Sequence, residues 1–141
     1  MQTKIIGYWE AWNSEHACGT MPPGSIPVSM LTHLNVAFGY IEPGSYRVIP
    51  MEGVDPSIYQ NIGNVKAQNT DLKISIALGG WSFTDPGTYQ SVFTTMVASP
   101  SLRATFISNL LGFLDEYGYD GVGQYHLLLS VLPNRSETYV I

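Results

Sequence analysis

Apolar residues in this chain gather in short unbroken runs that are closed off by glycine, proline, serine or asparagine. "KIIGYW" stands near the start, "LNVAFGYI" fills Leu34 to Ile41, and "LKISIAL" fills Leu72 to Leu78. Runs of this length, rich in branched and aromatic residues, read as strands buried on both faces. The pattern predicts strands over 4–11, 34–41, 73–79 and, at "GYDGV", 118–122. Between them the period changes from continuous to about 3.6. Residues 28–33 carry one helical turn. Asp55 is an N-cap candidate with Pro56 at the first helical position, and Ile58, Ile62 and Val65 follow at helical spacing. From Gly87 to Tyr117 the helical pattern returns, first with Tyr89, Val92, Phe93 and Met96 on one face. After "SPS" it continues with Phe106, Leu110, Phe113 and Leu114.

Strands alternating with helices imply parallel β/α units with right-handed crossovers. Two architectures satisfy this order: an open doubly wound sheet and a (β/α)8 barrel of which only part is present. A dinucleotide-binding sheet needs G-x-G-x-x-G after the first strand, and "GYWEAW" lacks it. The pair Gly79 and Gly80 is by itself a tight turn that needs small residues.

Composition narrows the function classes. The chain has 141 residues, 45% of them apolar, which suffices for one core but not for a large barrel. A net charge of −5 argues against nucleic acid or an anionic membrane surface as partner, since both require a basic footprint. No run of about 18 apolar residues offers a membrane span. Met1 is followed almost at once by the first strand, so a secretory leader is not expected. Cys18 lacks a second thiol at ligand spacing and reads as a packed or loop side chain, and no metal or other cofactor is called for.

Four strand ends, "IIGYWEAW", "HLNVAFGYI", "ISIALGGWSF" and "GYDGV", in this order and spacing, resemble the first four strands of family 18 glycoside hydrolases, the chitinases, especially fungal ones. The resemblance covers residues 4–122. It implies an α/β fold made of the first four β/α units of a (β/α)8 barrel, truncated, with the site at the C-terminal strand ends. The implied partner is chitin or a β-1,4-linked N-acetylglucosamine oligomer, and the implied compartment is extracellular. Neutral sugars are held by flat aromatic platforms and a few polar groups, which fits the residues present. Tyr8, Glu10 and Trp12 alternate and should share the mouth, while Trp9, on the other phase, belongs to the core. By resemblance Tyr8, Phe38, Gly79, Gly80 and Trp81 line the sugar cleft, the glycines turning the backbone closely under a sugar on which Trp81 stacks.

The fourth strand departs from the family. The family pattern there is D-x-x-D-x-D-x-E, in which the last acid protonates the glycosidic oxygen and the neighbouring aspartate orients the substrate's own acetamido nucleophile. Here Asp120 matches the first position, but Gly123, Tyr125 and Leu127 stand at the other three. Asp120 is then the surviving motif carboxylate, in a structural role, and no catalytic residue is assigned. His126 lies on the opposite strand phase and is no substitute. Asp115 and Glu116 read as a solvated helix end, and His16 and His33 as loop and hydrogen-bonding residues. The "NRS" at Asn134 matches a glycosylation sequon by pattern only. Residues 1–122 therefore read as the N-terminal half of such a barrel and 123–141 as an unrelated tail. Three readings follow: an inactive chain of chitinase ancestry, a carbohydrate-binding remnant, or a fragment with no independent function.

Overall fold

The strands form where the apolar runs place them. The computed structural model describes residues 4–125. Within it β1 (Ile6–Glu10), β2 (His33–Ile41), β4 (Lys73–Gly79) and β5 (Gly121–Tyr125) pair in parallel in the order β1-β2-β4-β5. A short β3 (Val48–Pro50) folds back antiparallel onto the end of β2. The hydrophobic pattern does not announce this hairpin. Three residues ending in proline give no alternating signal, and the turn before them places Tyr46 at φ +57, a conformation more common for glycine.

The helices are α1 (Ser57–Gly63), the single turn α2 (Trp81–Thr84), α3 (Val92–Ala98) and α4 (Pro100–Tyr117), with 3-10 segments over Ala11–Glu15, Pro23–Ser25, Val28–Met30 and Asn64–Gln68. The Asp55 carboxylate accepts from Ser57 N at 2.8 Å, so it caps α1 as the sequence suggests. The helical pattern of 87–117 is two helices rather than one. Pro100 has no N–H to continue α3, and Ser99 Oγ accepts from Leu102 N at 3.4 Å, starting α4 afresh. Gly118, at φ +70, ends α4 in the left-handed conformation that a residue with a Cβ resists.

One phase of the strands builds the core. Leu34, Val36, Ile74 and Ile76 are buried together with Ile58, Ile62, Leu110 and Phe113 of the helices. Each such aliphatic side chain contributes roughly 1.5–3 kcal/mol by leaving water. Trp9 belongs to this set, as its phase predicts, and its indole N–H donates to Met21 O at 2.9 Å. The last strand has little apolar content and is held differently. Asp120 N donates to Ile74 O at 2.7 Å while Ile74 N donates to Asp120 Oδ2 at 2.8 Å. That reciprocal pair locks β5 against β4, so the strand begins at Gly121 and runs past Val122 to Tyr125.

Candidate functional site

Strand alternation puts a second set of residues on the other face of the sheet. Tyr8, Asn35, Ser75 and Gly121 are register partners across it, and so are Glu10, Ala37, Ala77 and Gly123 one layer nearer the C-terminal ends. This face is less apolar than the core face. Tyr8 is 53% exposed, and Asn35 and Ser75 are half-buried. The polar pair is a signal hidden within the apolar runs, each member interrupting one at period two, in "LNVAF" and "KISIA".

At the C-terminal strand ends three loops converge. After Glu10 the chain turns into a 3-10 helix, so Trp12 leaves the strand and does not continue the phase of Tyr8 and Glu10. Its ring instead lies flat on Phe38, with centroids 5.7 Å apart and planes 17° from parallel. Phe38 sits where β2 slips register against β4, between Ala37 and Gly39, and the Ala37–Phe38 peptide is cis. Its carbonyl accepts from Tyr59 Oη at 2.7 Å. Burial raises the Tyr59 hydroxyl well above the ordinary tyrosine range, so it remains a donor at any physiological pH.

Gly79 and Gly80 follow with φ of +101 and +95. A Cβ on Gly80 would stand 2.9 Å from Phe38 Cδ2, so the space that this glycine leaves is filled by the phenyl ring. The turn also aims Trp81 outward, and this tryptophan is 77% exposed. Phe83, two residues on, is fully buried in an aromatic cluster with Tyr40, Tyr89 and Phe93. The anchor fixes α2 and thereby the position of Trp81. Burial, followed by the nearby negative charge of Glu52, raises the Tyr40 hydroxyl above its usual range.

Asp120 is placed at the other end of the sheet. Its carboxylate meets Lys66 Nζ at 2.6 Å and Lys73 Nζ at 3.4 Å besides the Ile74 amide. Burial pushes its pKa up, but the Lys66 hydrogen bond, the Ile74 N–H and the two ammonium charges outweigh burial and hold it below the ordinary carboxylate value. The group is an ionised staple between β4, β5 and the segment after α1, far from the mouth. Gly123 lies on the mouth-facing phase, where a built Cβ would meet only Ala77 Cα, at the ordinary contact distance of 3.9 Å. Leu127, His126 and Asn134 lie outside the described residues. His33 shares a 2.8 Å hydrogen bond with Thr32 Oγ1, while His16 and Cys18 are exposed in the long loop after β1. No group of three metal-ligating side chains occurs among the described residues.

Comparison with known proteins adds the family. The model of glycosyl hydrolases family 18 matches residues 4–123. Chitotriosidase-1 of Mus musculus is 35% identical over 120 residues, 84% of this chain and 24% of that protein. Chitinase-3-like protein 2 of Homo sapiens is 30% identical over the same length, covering 29% of its own chain. Among solved structures, human YKL-39, described as a pseudo-chitinase with retained chitooligosaccharide binding properties, superposes with a TM-score of 0.71 at 30% identity. That match covers 86% of this chain and 32% of the other. The chain thus spans roughly a quarter to a third of the length of these relatives.

Proposed function

The chain belongs to glycosyl hydrolases family 18, and from that membership we propose that it carries the N-terminal part of a cleft for N-acetylglucosamine oligomers and binds them without cleaving them. The observation that carries this reading is the exposure of Trp81, 77%, on a turn anchored by buried Phe83 and directly after Gly80, which packs against the Phe38 ring. An exposed indole costs solvation unless a ligand or partner covers it, and the flat apolar face of a neutral sugar fits it. Tyr8, on the open face of β1, would meet the same chain of sugars, and Gly79 and Gly80 let the backbone reach the cleft rim. Binding of chitooligosaccharides by YKL-39, a relative described as a pseudo-chitinase, supports separating binding from hydrolysis. On this reading residues 1–122 are the family segment and 123–141 a distinct ending, and the action is extracellular, where polymeric chitin is met.

The absence of hydrolysis follows from chemistry. Gly123, Tyr125 and Leu127 supply neither the carboxylic acid that protonates the glycosidic oxygen nor a carboxylate to orient an acetamido nucleophile. Losing a general acid alone typically costs about 10²- to 10⁴-fold.

A titration of the full chain with chitotetraose, followed by tryptophan fluorescence, tests the reading. We expect saturable binding near a millimolar dissociation constant, about −4 kcal/mol, weakened by Trp81→Ala, and no released product above a buffer blank. Binding indifferent to Trp81→Ala would place the ligand elsewhere, and saturable turnover would overturn the assignment of the fourth strand.

A further inference from the structure

A second hollow lies at the opposite end of the sheet. Asn61 and Asn64 of α1 and its C-terminal edge, with Val65 and Gln68 of the following 3-10 segment, face Pro23 and Gly24 across a space of about 350 Å³. That volume is at the small end of ligand sites and suits one sugar ring. Three carboxamides at positions 61, 64 and 68 line the hollow together, and among the described residues no charged side chain lines it. Asn64 Oδ1 has only a long 3.4 Å contact from Gln60 Nε2, and the Asn61 and Gln68 side chains hydrogen-bond to none of the described residues. Val65, buried, forms an apolar floor.

Both walls are fixed before any ligand arrives. Asn69 Nδ2 donates to Val28 O at 2.8 Å and to Leu31 O at 3.1 Å, tying the 3-10 segment to the loop that enters β2. Lys66 Nζ donates to Gly118 O at 2.8 Å on the other side. The turn at Pro23 is closed by Ser25 N to Pro22 O at 2.9 Å. Side chains are therefore the parts left to adjust.

We propose that this hollow is a second saccharide subsite, remote from the mouth, that takes the acetamido group of one N-acetylglucosamine unit. It rests on the ligand class proposed above but on none of the same residues. A carboxamide offers both a donor and an acceptor, so one of the three can accept from the N–H of an acetamido substituent while another donates to its C=O, which points the opposite way in a trans amide. The acetyl methyl then lies on Val65 and Pro23. An uncharged lining in an acidic chain selects a neutral ligand over a charged one.

The test is a titration of the full-length, ¹⁵N-labelled chain with N,N′-diacetylchitobiose, reading the side-chain amide signals of Asn61, Asn64 and Gln68 and the indole signal of Trp81. Saturable shifts of the three amides are expected. Asn64→Ala and Gln68→Ala should each weaken that site about fivefold, the effect of one neutral hydrogen bond. Gly24→Phe should abolish it, since Gly24 lines the hollow and a Cβ there meets nothing within 4 Å, so bulk is added at its wall without a clash. Cellobiose, which has hydroxyls but no acetamido group, should leave the amides unmoved. Amides that do not shift, shifts that persist in Gly24→Phe, or equal shifts with cellobiose would each overturn the proposal. Shifts at Trp81 without shifts at the amides would remove this subsite and leave the mouth standing, whereas the reverse would remove the mouth alone.

Discussion

Gly80 and Phe38 occupy a single steric site. The glycine takes φ +95 and ψ 172, and the phenyl ring stands where its Cβ would be, 2.9 Å from that point. Through the Trp12 stack this contact links the ends of β1, β2 and β4.

Gly80→Ala should therefore destabilise the chain on two counts. The backbone conformation is nearly exclusive to glycine and costs on the order of 1–3 kcal/mol for any other residue, and the ring must move as well. A urea melt followed by tryptophan fluorescence should show a clearly lower midpoint. An unchanged midpoint would mean that the turn is not held as described.

Two other glycines should respond in opposite directions to the same substitution. Gly63 has ordinary helical dihedrals, but its Cβ would run into the Tyr117 carbonyl oxygen, so Gly63→Ala should cost about 1–3 kcal/mol by overpacking. At Gly123 the nearest atom to a built Cβ is Ala77 Cα at 3.9 Å, an ordinary contact. Gly123→Ala should be neutral or stabilise by about 0.5 kcal/mol through reduced chain entropy. Chemical denaturation of the two variants side by side decides the matter, and equal effects would refute the packing described.

Asp120 should make stability fall in acid. Its folded pKa is depressed below the ordinary 3.8, so the folded state favours the ionised form. The contribution is present above the unfolded value and is lost as pH falls through the folded one. Asp120→Asn should lower stability at pH 7 on the order of 1 kcal/mol, a modest figure because the side chain is 25% exposed and partly screened. Below pH 3 the gap between parent and variant should narrow. Asp55, whose pKa is also lowered by the Ser57 N–H, titrates in the same direction, so the parent-minus-variant difference is the quantity to follow. A gap that widens in acid would contradict the Lys66 and Lys73 contacts.

The three tryptophans should separate in a quenching experiment. Trp9 is 3% exposed and Trp81 is 77% exposed, with Trp12 between them against Phe38. Trp81→Phe should remove most of the iodide-quenchable, red-shifted emission, and Trp9→Phe should remove almost none. Comparable quenching losses from both would show that Trp81 is covered.

What could be read from the residues depended on where the strands got their order. The runs at 34–41 and 73–79 are legible because both faces are buried, so hydrophobicity alone marks them. The final strand is legible only at its start. "GVGQY" has no apolar pattern, and its start is set by the exchange between Ile74 and the backbone and carboxylate of Asp120, a contact between distant residues. The mouth divides in the same way. Trp81 after two glycines is visible in the sequence, whereas the departure of Trp12 from strand phase is not, because the 3-10 turn that carries it has no capping residue to announce it.

Because every strand of the parallel sheet pairs with the parallel strand before it, the sheet can be built in the direction of synthesis. Once the ribosome has released the chain through Gly79, β1, β2 and β3 already have their partners, and β4 presents a growing edge. The last strand then joins an existing template, guided by a single charged residue that arrives just before it.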